Sequence, residues 1–228
     1  MCKMKVSVIV FPGSNCDHDI VYTYTKIGAE VKTVWHRETN LGTPDLVVVP
    51  GGFSYGDYLR TGALAKLSPV MQEIKKYADK GGNVLGICNG FQILCEAQLL
   101  PGVLLQNVGM RFLSRFINMR VENAKTFFTN KIEKNTILSC PIAHFEGNYF
   151  ADSDTIRKLE DNGQVVFRYC SKDGEVEPTN LETNPNGAIN AIAGICNLNG
   201  NVVGLMPHPE RVIDAILNNQ QNNNIELF

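Results

Sequence analysis

The chain has 228 residues, 44% of them hydrophobic and 19% charged, with a net charge of −2. That length suits a single domain over residues 1–228, burying about three quarters of its unfolded surface. With near-neutral charge and no long Lys/Arg run, neither nucleic acid nor an anionic membrane is expected as a partner, because both require clustered positive charge.

The apolar run at the start of the sequence stops at Pro12-Gly13, too short to span a bilayer and without a small-residue cleavage site. Within it, KVSVIVF (5–11) reads as a strand buried on both faces, as do EVKTVW (30–35), DLVVVP (45–50) and NVLGIC (83–88). Helical windows alternate with them: HDIVYTYTKIG (18–28), PVMQEIKKYADKGG (69–82) and residues 90–98. The second of these opens on Pro and closes on Gly, the usual asymmetry of helix ends. This alternation predicts an α/β fold with a mostly parallel central sheet and helices on both faces. Such sheets bind ligands at the carboxyl ends of their strands.

The second half is strand-like at 111–122, 136–145, 164–170, 191–197 and 201–206, which predicts additional antiparallel strands. LNGN (198–201) reads as the tight turn joining the last two. A short helix, PERVIDAILNN, is expected from Pro209, and the polar QQNNN near the end is expected to be solvated and frayed. Seven cysteines occur without CxxC or zinc-like Cys/His spacing, so no metal site is expected. The thiols are expected to be reduced and the protein cytoplasmic.

One short stretch carries chemistry. In GICNG (86–90), Cys88 falls on the turn between a predicted strand and a predicted helix, with glycines two places away on each side. On this window alone, a buried cysteine beside a turn is as good a reading. The other reading is the nucleophile elbow of G-x-S-x-G with sulfur in place of oxygen. There the thiol sits at a helix N-terminus whose dipole favours thiolate, and the Asn89 N–H points at a developing oxyanion. Among four histidines, His208 has the best context as a base: it follows the strand VVGLM, and Glu210 stands two residues on to orient its ring. Without the cysteine, the same residues describe an exposed His-Pro turn. The PGGFSYGDYLR loop (50–60) leaves a neighbouring strand at the same sheet edge, and its Gly-Gly turn allows close backbone approach to a ligand.

FPGSNCDHD (11–19), PGGFSYGDYLR (50–60), GICNGFQIL (86–94), RFLSRFINMRVEN (111–123), PIAHFEGNY (141–149) and GLMPHPER (204–211) together resemble the class I, or triad, glutamine amidotransferases. The resemblance implies Cys88 as nucleophile, His208 as general base and acid, and Glu210 as its orienter. It further implies Gly52 and Asn89 as oxyanion donors, and Gln92, Phe53 and His144 as contacts for glutamine. One departure is Phe145, where the family has glycine.

The substrate implied is L-glutamine, hydrolysed to glutamate and ammonia, with no cofactor in this chain. ATP and magnesium are expected on a synthetase partner. The blocks point to the synthetase subunit that converts formylglycinamide ribonucleotide to formylglycinamidine ribonucleotide in purine biosynthesis, joined by a small accessory subunit. The alternatives are a glutaminase serving a different synthetase, a non-catalytic regulatory module of the same fold, and a thiol protein with no glutamine site.

Overall fold

A computed structural model describes residues 3–214 and 224–228. Strands β1 (Lys5–Val10), β2 (Glu30–Trp35), β3 (Leu46–Val49) and β4 (Asn83–Ile87) alternate with helices α1 (Asp17–Lys26), α2 (Pro69–Asp79) and α3 (Asn89–Glu96). All four residues of β3 are buried, as a strand covered on both faces requires. In α2, Val70, Met71, Ile74 and Ala78 turn one apolar stripe inward behind a Pro-initiated first turn. By contrast β2 leaves most of its side chains exposed, which suits its place at the sheet edge.

The second half supplies β5 (Val103–Leu105), β6 (Leu113–Val121), β7 (Ile137–His144), β8 (Asn148–Phe150), β9 (Val165–Cys170), β10 (Ile192–Cys196) and β11 (Val202–Leu205). The main sheet runs β2-β1-β3-β4-β11-β10-β9-β6-β7, while β5 and β8 form a separate two-stranded ribbon. Pairings from β2 through to β11 are parallel. Those from β11 outward to β7 are antiparallel. The fold is therefore α/β with a parallel core extended by antiparallel strands, as expected. The predicted LNGN turn does join β10 to β11.

Besides β2, expected to be buried on both faces but exposed at the edge, two helical features differ from the sequence reading. Helix α4 (Ser153–Asp161) has no counterpart in it; only Ile156 and Leu159 are buried from this helix, too sparse a stripe to register. Its start is fixed instead by Asp152, whose Oδ1 accepts the Thr155 N–H at 2.9 Å. The helix expected from Pro209 begins as a single 3₁₀ turn, Pro209–Val212, and residues 215–219 of that segment lie outside the described residues. Residues 220–223 of the polar QQNNN segment also lie outside them.

The parallel pairing of β4 with β11 positions the site. Register Leu205↔Ile87 brings the ends of two strands distant in sequence side by side. The Cys88 N–H then donates to the Leu205 carbonyl at 2.8 Å. Three residues past that carbonyl stands His208.

Candidate active site

Cys88 caps α3 with φ 51° and ψ −107°, a positive-φ backbone that costs a non-glycine residue energy. The strained turn aims the thiol off the sheet edge, as a nucleophile elbow demands. The flanking glycines are there because the backbones crowd. A Cβ on Gly90 would collide with the Val49 carbonyl, and one on Gly86 would lie 2.8 Å from the Gly90 carbonyl carbon. Helix α3 thus presses onto β3 and β4 at the point where the elbow turns.

His208 is buried, and its backbone N–H donates to the Pro141 carbonyl on β7 at 2.9 Å. Its Nδ1 lies 2.6 Å from Glu210 Oε1, and both side chains are shut from solvent. Burial disfavours a charge on the ring. The Glu210 carboxylate and the Cys88 thiolate outweigh it, so the proton affinity of His208 rises. Cys88 acts on the ring through its charge, while Nε2 has no hydrogen-bond partner among the described residues. Such contacts often tighten only when substrate binds. Nε2 is left facing the thiol while Nδ1 is held by the acid, the arrangement of a triad.

This pairing sets a pH dependence. A protonated His208 is lost as pH rises through its pKa, and Glu210 is one of the groups that raise that pKa. Glu210→Gln should therefore move the alkaline limb of kcat/KM to lower pH. It should also leave about 10²-fold more activity than removal of the thiol does. An unchanged alkaline limb in a pH–rate profile would show that Glu210 does not govern the imidazolium.

A second thiol stands close by. Cys16 Sγ, a ring nitrogen of His208 and a carboxylate oxygen of Glu210 all lie within 4.8 Å of one another. Arg211 Nη2 donates to Cys16 Sγ at 2.9 Å, so a cationic group already stands beside that thiol. Burial pushes the Cys16 thiol up to about 12 despite that guanidinium. Cys16 is also absent from the walls of the cavity beside Cys88. The six cysteines among the described residues are free and buried.

That cavity, of about 110 Å³, is lined by Gly52, Phe53, Cys88, Gln92 and His144 together with Asp57, Thr61 and the 143–146 segment. Gly52 follows β3 and pairs across an isolated bridge with Ser14. Asn89 opens α3, where first-turn N–H groups have no intrahelical partner. The Asn89 side chain ties the loop to the helix: its Oδ1 accepts the Ser54 N–H at 3.2 Å and its Nδ2 donates to Gln92 Oε1 at 3.0 Å. Gln92 Nε2 donates in turn to the Glu146 carbonyl at 2.6 Å. Phe53 is 44% exposed in the cavity wall and stacks on Phe112 with centroids 6.4 Å apart.

His144 ends β7 and is held by a residue that sequence reasoning missed. Asn107 Nδ2 donates to the Arg111 and His144 carbonyls, at 2.8 and 2.9 Å. Its Oδ1 must then be the acceptor for the Gly147 N–H at 3.0 Å and for His144 Nδ1 at 3.2 Å. The His144 proton is thereby fixed on Nδ1, leaving Nε2 a bare acceptor. Burial and the nearby His208 push its pKa down to about 3, so the ring is neutral. Phe145 is accommodated in the cavity wall, with its carbonyl accepting the Asn107 N–H at 2.9 Å. Asp57, Thr61 and Asn107 were all missed as site residues. Asp57 and Thr61 lie in or beside the PGGFSYGDYLR loop, the one signal that could have found them.

The family model for CobB/CobQ-like glutamine amidotransferase domains matches residues 3–227, and the chain belongs to that family. Among curated relatives, phosphoribosylformylglycinamidine synthase subunit PurQ of Aquifex aeolicus is 53% identical over 215 residues, 94% of this chain and 93% of that protein. The subunit of the same name from Salinibacter ruber is 50% identical over 214 residues, covering 93% of this chain and 90% of that protein. A chain in the solved structure of PurLQS from Thermotoga maritima superposes with TM-score 0.84 at 39% identity, covering 99% of this chain and 95% of that one. A glutamine amidotransferase from the same organism, at 17% identity and TM-score 0.55 over 92% of this chain and 77% of that chain, shares the fold alone.

Proposed function

We propose that residues 1–228 act as one glutaminase domain supplying ammonia to a synthetase that makes formylglycinamidine ribonucleotide for purine biosynthesis. The observation that carries this reading is a buried imidazole between a carboxylate and an elbow thiol, with that thiol in the wall of a small cavity. The PurQ relatives narrow the class of synthetase served.

Cys88 thiolate attacks the carboxamide carbon of glutamine, forming a C–S bond and an oxyanion that the Gly52 and Asn89 N–H groups hold. Collapse of this intermediate breaks the C–N bond while the His208 imidazolium gives its proton to the departing nitrogen. Ammonia leaves and a glutamyl thioester remains. Neutral His208 then takes a proton from water, whose oxygen attacks the thioester, and glutamate departs with the thiolate restored. Glu210 holds the ring in register throughout. Gln92, Phe53 and His144 shape the glutamine pocket.

ATP and magnesium act on the synthetase subunit, the counterpart of the PurL named with PurQ in the PurLQS structure, with PurS corresponding to the small accessory subunit. Hydrolysis is held low until that partner docks, in the cytoplasm. The test is to measure glutamate release by the chain alone and with the synthetase subunit, nucleotide substrate and ATP. Glutaminase activity should rise on assembly and match amidine formation. Full activity alone, unchanged by the synthetase, would count against the coupling.

A further inference from the structure

The block FPGSNCDHD (11–19) joins β1 to α1 and supplies no group to the hydrolysis, yet it touches both halves of the site. Its backbone is laced to the loop after β3. The Phe53 N–H donates to the Gly13 carbonyl at 2.9 Å, and the Cys16 N–H to the Gly51 carbonyl at 3.3 Å. The two halves meet at Gly51. A Cβ there would stand 2.8 Å from His208 Cε1 and 3.0 Å from Cys16 Sγ, so ring and thiol lie against the same stretch of backbone.

Arg211 closes this arrangement from the other side. Its Nη2 donates to Cys16 Sγ at 2.9 Å and its Nε lies 3.4 Å from Asp19 Oδ2. Thr23 Oγ1 of α1 donates to the Glu210 carbonyl at 3.2 Å. Arg211 is absent from the walls of the cavity beside Cys88, so it does not reach a substrate held there. Its charge does reach Glu210. That carboxylate is shut from solvent, and its Oε2 has no hydrogen-bond partner among the described residues. Burying a carboxylate in this way requires a compensating cation. His208 supplies one as an imidazolium and none once it is neutral. Other groups that feel the Glu210 charge are Cys16, Asp19 and Tyr24 on the α1 side and Cys140 on β7, none of them a cation. Facing the ring itself are Cys88 and the neutral His144. Arg211 remains, and a guanidinium does not lose its proton in a protein.

We infer that Arg211 is a positioning residue: it ties the His208–Glu210 turn to the start of α1 and keeps Glu210 ionised while His208 is neutral. This assignment rests on the glutaminase reading above. Its effect falls on the second half of the reaction. In the thioester, the Cys88 charge that raises the proton affinity of His208 is gone, and Glu210 is left to raise it. Arg211 opposes Glu210. Without that cation the pair would hold a proton more tightly, and the neutral ring that takes a proton from water would be scarcer. Acylation uses the imidazolium and is spared.

The test is glutamine turnover by the assembled complex across pH, followed as glutamate release and as the fraction of Cys88 acylated in acid-quenched samples. Turnover divided by that fraction gives the rate of thioester hydrolysis. Arg211→Met should slow this step about tenfold at pH 7, the smaller end of what a neighbouring charge does to a buried group. More of the enzyme should stand as thioester, with kcat/KM near wild type. The slowed step should recover as pH rises, because the neutral ring returns. Arg211→Lys keeps the charge and should restore most of the rate. Arg211→Gln, read as the methionine variant is, serves if that variant does not fold. Thioester hydrolysis at the wild-type rate, or a loss of kcat/KM with the pH dependence unchanged, overturns the assignment alone. A wild-type complex that releases no glutamate from glutamine overturns the glutaminase reading and the assignment with it.

Discussion

Cys88→Ala abolishes ammonia release from glutamine, with a loss in kcat on the order of 10⁶, the scale seen when a triad nucleophile is removed. The substitution deletes one buried sulfur and keeps the strained φ of 51° that any non-glycine residue must adopt there. The fold should therefore survive, and unfolding curves should stay close to wild type while turnover vanishes. Cys16 provides the internal control. Its thiol also lies beside the imidazole–carboxylate pair, yet it donates to Asn15 Oδ1 at 3.1 Å, accepts from Arg211 and lies outside the cavity walls. Cys16→Ala should keep measurable turnover. Equal loss from both substitutions, assayed as glutamate formed from glutamine, would sink the distinction drawn between the two thiols.

Gly90→Ala has the largest expected effect on stability. The added Cβ would run into the Val49 carbonyl oxygen and sit 2.7 Å from its carbon. Backbone on β3 cannot rotate away as a side-chain tip could, so α3 must lift from the sheet. Overpacking of this kind costs about 3 kcal/mol. For a chain of this size that is about 6–12 °C in Tm. The same displacement separates Cys88 at the start of α3 from Gly52, which follows β3, so kcat should fall with Tm. A variant that melts at the wild-type temperature would mean that the two backbones do not meet as described.

The elbow shows why part of the site could be read from sequence. A helix that must touch a strand at the backbone admits only Gly at the contact, so GICNG carries its geometry in its letters. Burial left a similar trace in the strands: Leu46, Val47, Val48 and Val49 are apolar without interruption because β3 is covered on both faces. Other parts left no such trace. Helix α4 buries two side chains and is begun by an Asp152 cap, so its periodicity is too weak to read. Asn107 and Asp57 are single polar residues whose neighbours in the site, His144 and Glu146, lie far along the chain, and only the folded topology brings them there. The strand order was equally silent. Nothing in NVVGLM announces that β11 inserts beside β4 rather than at the edge, yet that pairing is what sets His208 against Cys88.

The most direct measurement is mass analysis of peptides from the chain, quenched in acid during turnover of glutamine. A glutamyl thioester, removable by hydroxylamine, should be found on the peptide containing Cys88 and be missing when His208 is replaced by Ala. Glutamate released with no adduct on Cys88, or with the adduct on Cys16, would contradict the account.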